Sequence, residues 1–128
     1  MAKAEPPFAN ASVGAAFDGQ PALLALRAMI FDVARELASV GEIIESLKWG
    51  QPSYATKTGT PIRLGHSKGG APAIFAHCQS SVISDFAAVF GQDFEIDGTR
   101  AVHLDPDSID AQDGPLRKLI ASALTYRL

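Results

Sequence analysis

Leu47-Lys48-Trp49-Gly50-Gln51-Pro52-Ser53-Tyr54 is the stretch on which the reading of this chain depends. It holds the only tryptophan and one of the two tyrosines, beside a glycine and a proline that no helix runs through easily. Before it, apolar residues keep helical spacing; after it, they fall in short runs bounded by turn residues. The stretch divides a helical half from a sheet half.

On the upstream side, Asp18-Gly19-Gln20-Pro21 is a helix start, with proline placed where a missing N–H costs nothing. Leu23, Leu26, Ile30, Val33 and Leu37 then recur at spacings of three and four and form one apolar stripe, which ends near Gly41. Asp32 and Glu36 lie on another face with Arg27 and Arg35, the mixed charge of a solvated surface. Glu42 to Lys48 reads as a second, shorter helix with Ile43, Ile44 and Leu47 on its apolar side, stopped by Gly50 and Pro52. Residues 1–19 mix Pro6, Pro7, Gly14 and small residues without a period, so they are expected to form a flexible arm. The domain proper is then 20–128, and nothing in the pattern requires Phe8 or Phe17 to dock on it.

Downstream, Ser53 to Thr56 reads as a short strand and Lys57-Thr58-Gly59-Thr60 as a turn. Pro61 to His66 and Pro72 to Cys78 are two strands joined across the glycine-rich loop Ser67-Lys68-Gly69-Gly70. Ser80-Ser81 opens a helix carrying Val82, Ile83, Phe86, Val89 and Phe90, closed by Gly91. Phe94 to Ile96 and Arg100 to Leu104 make a hairpin around Asp97-Gly98. Asp113-Gly114-Pro115 starts a last helix with Leu116, Leu119, Ile120 and Leu124 on one face. The order ααβββαββα predicts an α+β domain with an antiparallel sheet of about five strands and helices packed on it.

The 128 residues favour one domain, long enough to fold on its hydrophobic core alone. A net charge of -3 gives no footprint for nucleic acid or anionic lipid. The single cysteine, Cys78, cannot form an intramolecular disulfide and suits a reducing compartment. No run approaches the roughly 18 apolar residues of a membrane span, and the first residues do not follow a signal-peptide pattern. A cytoplasmic location is expected.

The familiar catalytic and metal motifs are missing. There is no CxxC, HExxH or GxSxG, and the glycine-rich loop enters a strand where a phosphate loop would open a helix. Asp105, Asp107, Asp110 and Asp113 resemble a calcium loop only superficially, with aspartate where glycine is needed and Leu116 where glutamate is needed. They read as a solvated loop, with Asp113 capping the last helix. Strand alternation puts His77 and Cys78 on opposite faces, so they do not form a nucleophilic pair, and Cys78 reads as a buried, inert thiol. What remains is a set of amphipathic and cationic residues on or beside the sheet: Lys48, Trp49, Tyr54, Arg63, His77 and Arg100. Aromatic bodies with polar tips beside guanidinium groups suit a pocket for a small anion or a planar ligand. The alternative is that Trp49 and Tyr54 close one end of the core while the arginines tie loops to carbonyls.

Five blocks, Leu47 to Tyr54, Ile62 to Gly65, Phe75 to Gln79, Gly98 to Val102 and Ala123 to Tyr126, fall in the order found in the YdhG-like family, domain of unknown function 1801, which the chain resembles over roughly residues 22–127. The resemblance implies a compact α+β domain with helices over one face of an antiparallel sheet, and no established reaction. Some relatives are described as frataxin-like intracellular iron chaperones. By that resemblance iron becomes an alternative ligand, with Asp32, Glu36, Glu42 and Glu45 as its carboxylates.

Three functions follow as expectations. The first is non-enzymatic binding of a small molecule or protein at the face around Trp49, without a cofactor. The second is iron carriage, and the third is a small enzyme with His77 as acid or base. A pocket binder is expected to enclose an apolar cavity beside Trp49. An uncovered sheet edge would allow a homodimer.

Overall fold

The structure, a computed structural model, describes residues 6–37, 39–77 and 79–126. Ten elements follow one another: α1 (Ala11–Ala16), α2 (Pro21–Glu36), β1 (Ile44–Lys48), β2 (Gln51–Ala55), β3 (Ile62–His66), β4 (Pro72–Ala76), α3 (Val82–Phe90), β5 (Glu95–Asp97), β6 (Ala101–His103) and α4 (Asp113–Leu124). The strands form one six-stranded sheet in the order β1-β2-β3-β4-β6-β5, with every neighbouring pair antiparallel. The α+β class with an antiparallel sheet is as the sequence predicts.

Two expectations are corrected. Ile44 to Lys48 is a strand at the sheet edge, so the sheet has six strands and the second helix does not exist. The residues expected to form a flexible arm contribute α1, whose Val13 and the following Phe17 are buried in the core. Asn10 caps that helix by accepting from the Val13 N–H at 2.9 Å. Phe8 stacks on Phe17 with ring centroids 5.4 Å apart. The described part of the segment is packed, not free.

The pleat sorts the sheet residues onto two faces. Tyr54, Ile62, Leu64, Ile74, Ala76 and Val102 join Leu26 and Ile30 of α2 and Leu116, Ile120 and Leu124 of α4 in one core. Cross-strand register makes this face continuous, with Tyr54 opposite Ile62, Leu64 opposite Ile74 and Ile74 opposite Val102. The helical stripe of α2 is the expected one, although the helix stops at Glu36, before Gly41. Arg117 of α4 ties the two long helices together, reaching Asp32 at 3.0 Å and Glu36 at 3.3 Å on α2 and Asp113 at 2.8 Å on its own helix. Neither expected side-chain cap is made: the Ser81 hydroxyl donates to Asp85 at 2.9 Å, and Asp113 lies inside the first turn of α4.

The β2–β3 loop seals the end of α4. Thr56 and Thr58 both donate to the Leu124 carbonyl, at 2.9 and 2.7 Å, and the Thr60 N–H donates to the Ala123 carbonyl at 2.9 Å. These bonds satisfy carbonyls that a helix end leaves without partners.

Candidate functional site

The face of the sheet turned away from the helical core is the place to look for a site. The register aligns Ser46, Ser53, Arg63, Phe75 and Ala101 across five strands on that face. Small residues here leave a concavity. Gly65 makes room for a neighbour instead: a Cβ at this position would fall on the Gln51 amide, which lies against it, and press the Phe75 ring. The result is an open cleft of about 800 Å³, bounded by Ile44, Ser46, Lys48, Trp49, Gln51, Ser53, Ala55, Pro61, Arg63, Phe75, Ala76, His77 and Arg100. It is open to solvent on one side, not the closed cavity expected beside Trp49.

Five of the six sequence candidates, Lys48, Trp49, Arg63, His77 and Arg100, line this cleft. The sixth does not. Tyr54 is fully buried on the opposite face, where its hydroxyl donates to Glu45 Oε2 at 2.6 Å. Ser46, Gln51, Ser53 and Phe75 belong to the cleft and were not among the candidates. Phe75 shares a strand face with His77, so alternation was enough to find it. Ser46 needed the strand identity of β1, which the sequence reading lacked.

The cleft is cationic within an acidic protein. Lys48, Arg63 and Arg100 line it and, among the described residues, no carboxylate does, although the chain as a whole carries -3. Arg63 lies over the Phe75 ring, 5.9 Å from its centroid, where the aromatic face holds the guanidinium in place. Arg100 has a looser neighbour in Asp97 at 3.8 Å, both well exposed. His77 Nδ1 accepts the Gln79 N–H at 3.1 Å, which leaves Nε2 to carry the proton of the neutral ring. Among the described residues no carboxylate is within ion-pair or hydrogen-bond distance of His77. The reading of Cys78 lies outside the described residues.

Trp49 sits at the tip of the β1–β2 hairpin. Lys48 pairs with Gln51, so Trp49-Gly50 is a two-residue turn, and both residues have positive φ, 56° and 76°. These are the angles of a type I′ turn, which usually carries Asn-Gly or Gly-Gly. A left-handed tryptophan costs roughly 1–2 kcal/mol. The indole is 90% exposed, so burial does not offset that cost.

The four proposed iron ligands do not converge. Glu45 points into the core, held by Arg27 Nε at 2.7 Å and Nη2 at 3.1 Å, by the Tyr54 hydroxyl and by the Ala9 N–H at 3.0 Å. Burial alone would raise the Glu45 pKa, but the bonds from Arg27, Tyr54 and Ala9 outweigh it and hold the carboxyl below its usual range. Asp32 and Glu36 are engaged with Arg117, and Glu42 is exposed ahead of β1. Among the described residues no three His, Cys, Asp or Glu side chains are grouped to hold a metal ion.

No family model, curated protein or solved structure matches this chain. Among the described residues no helix is long and apolar enough to cross a membrane.

Proposed function

We propose that this protein is a non-enzymatic binding domain whose open sheet face takes a small anionic ligand. One observation carries the reading: Lys48, Arg63 and Arg100 line a cleft that no carboxylate lines among the described residues, in a chain of net charge -3. A cleft of one sign concentrates counter-ions and speeds their capture. Its volume of about 800 Å³ lies within the usual small-molecule range. Ser46, Gln51 and Ser53 supply hydroxyl and amide groups, while Ile44, Pro61 and Phe75 supply apolar wall. Arginine is the anchor, because its planar fork meets a carboxylate or phosphate in two parallel bonds.

The test is calorimetric titration of the purified protein with a panel of small carboxylates and phosphates. Arg63→Ala is expected to weaken the best binder at least about ten-fold, since a charge-assisted hydrogen bond contributes about 1.5–3 kcal/mol. Binding that survives Arg63→Ala and Arg100→Ala together would remove the reading. Affinity is also expected to fall as salt rises, because an open cleft is screened within about 8–10 Å at physiological ionic strength.

A further inference from the structure

We infer that the ligand of this cleft carries a flat aromatic ring as well as one oxyanion, and that Trp49 is the side chain that closes over the ring. This rests on the anion-binding reading and goes beyond it by naming the second half of the ligand.

The first ground is Trp49 itself. It combines a backbone angle that favours glycine or asparagine, φ 56°, with an indole left 90% in water. Backbone strain and an exposed apolar ring are two costs in the free protein, and burial among the described residues does not offset them. Residues held this way gather at ligand clamps and switch segments.

The second ground is position. The indole borders the cleft together with Lys48 and Gln51, the pair that flanks the turn. Because the turn has only two residues and lies on the edge strand, rotation about the Trp49 side-chain bonds is enough to swing the ring. No strand pairing has to break.

The third ground is the floor. The Phe75 ring and the Arg63 guanidinium lie together there, and Gly65, which has no side chain, lets the Gln51 amide lie flat on the sheet beside them. A flat ring on that floor meets the Arg63 guanidinium that lies over Phe75 and the indole at the rim, while its oxyanion meets Arg63, Lys48 or Arg100. Stacked aromatics and guanidinium planes select for flat, electron-rich partners. Charge complementarity selects for the anion. A saturated anion of the same charge satisfies only half of the site.

Trp49 is the only tryptophan, so its emission reports on the site directly. The full chain is titrated with 1-naphthoate and 1-naphthyl phosphate, and with cyclohexanecarboxylate and cyclohexyl phosphate as saturated partners, by calorimetry and by tryptophan fluorescence. The naphthyl compounds are expected to bind about ten-fold tighter than their saturated partners and to change Trp49 emission. The stronger naphthyl compound then identifies the oxyanion as carboxylate or phosphate. In Trp49→Asn the aromatic preference falls to about one-fold, and in Trp49→Phe it returns in part. Asparagine accepts the left-handed angle, so Trp49→Asn melts no lower than the parent, and its loss of preference is not unfolding.

Equal binding of aromatic and saturated anions, or a preference that survives Trp49→Asn, overturns the inference. If Arg63→Ala still weakens both classes, the anion-binding reading stands without it. If none of the four compounds binds, both fall. Self-association that shields Trp49 without any added compound overturns the inference in favour of a second copy of the chain.

Discussion

Glu45 is the residue that most repays attention, because an acidic side chain in a short polar segment looks like surface and here is core. Its side chain is 5% exposed, and its partner Arg27 is 2% exposed. Arg27 lies between the rings of Phe8 and Phe31, 4.5 and 4.8 Å from their centroids, and also donates to the Pro6 and Pro7 carbonyls at 3.0 and 3.3 Å. The sequence reading put Arg27 on a solvated face; the structure makes it the post to which the first described residues are tied. Removing one member of a buried, hydrogen-bonded charge group leaves the others short of partners. Tyr54→Phe is expected to cost about 1.5–3 kcal/mol by urea unfolding, the loss of one hydrogen bond to a charged group. Acid sensitivity follows from the same carboxylate. Its folded pKa lies below the ordinary 4.5, so its stabilising contribution is fully present above that value. The contribution is lost as pH falls through the lower folded value. Stability is therefore expected to drop below about pH 4.5, with a shallower drop in Glu45→Gln. Equal slopes for the two proteins would assign the acid loss to other groups. Tyr54 behaves oppositely: burial and the Glu45 bond push its phenol well above the ordinary value of 10, so its contribution is lost only in strong alkali.

Among the elements, the β1–β2 hairpin shows most clearly what spacing conceals. Ile43, Ile44 and Leu47 are spaced as a helix would space them, and Trp49-Gly50 is not a usual hairpin turn. Once β1 is paired with β2 the logic is that of a strand. Glu45 and Leu47 point inward, while Ser46 and Lys48 point to the cleft and Ile44 is 62% exposed. Alternation was present but hidden, because one inward position is a carboxylate and one outward position is an isoleucine. The strained turn yields a stability prediction separate from ligand binding. Trp49→Gly is expected to raise stability by about 1 kcal/mol, since it relieves the left-handed penalty at an exposed site. A melting temperature below the parent's would mean that the indole makes a stabilising contact in solution. The β2–β3 loop predicts the reverse. A Cβ on Gly59 would fall on the backbone of Ala123 and Leu124, which cannot move aside as a side chain can. Gly59→Ala is expected to cost about 2 kcal/mol or more, as overpacking in a core does, while Gly69→Ala, whose Cβ would meet only the Ser67 hydroxyl at an ordinary contact distance of 3.8 Å, stays near neutral.

For the chain as a unit, the decisive fact is that the helices gather on one side of the sheet and leave a cationic concavity on the other. The core accounts for the first half of that statement. The strands place Tyr54, Ile62, Leu64, Ile74 and Val102 toward the helices, and Arg117 locks α2 to α4 through Asp32 and Glu36. The second half is a matter of what the other face lacks. It has small residues at Ser53, Gly65, Ala73 and Ala101 where a second helical layer would need large apolar ones. Arg117→Ala is expected to cost about 1 kcal/mol at low salt and less at high salt, the behaviour of a partly exposed ion-pair network.

The sequence alone determined the α+β class, the antiparallel sheet, the stripe of α2, the extent of α3, the start of α4, and the β3–β4 and β5–β6 hairpins. Each of these rests on period and turn chemistry within a dozen or so residues, so each is legible locally. It also named five residues of the cleft, because cationic and aromatic side chains on neighbouring strands are few. Only the tertiary structure decided that residues 44–48 form an edge strand, that residues 8–17 pack, that Tyr54 faces inward, and that the carboxylates of the iron reading are dispersed. The reason is common to all four. Arg27 meets Glu45 across 18 residues, and Arg117 meets Asp32 across 85. A charge whose partner is that distant in the chain reads as surface until the fold brings the partner to it.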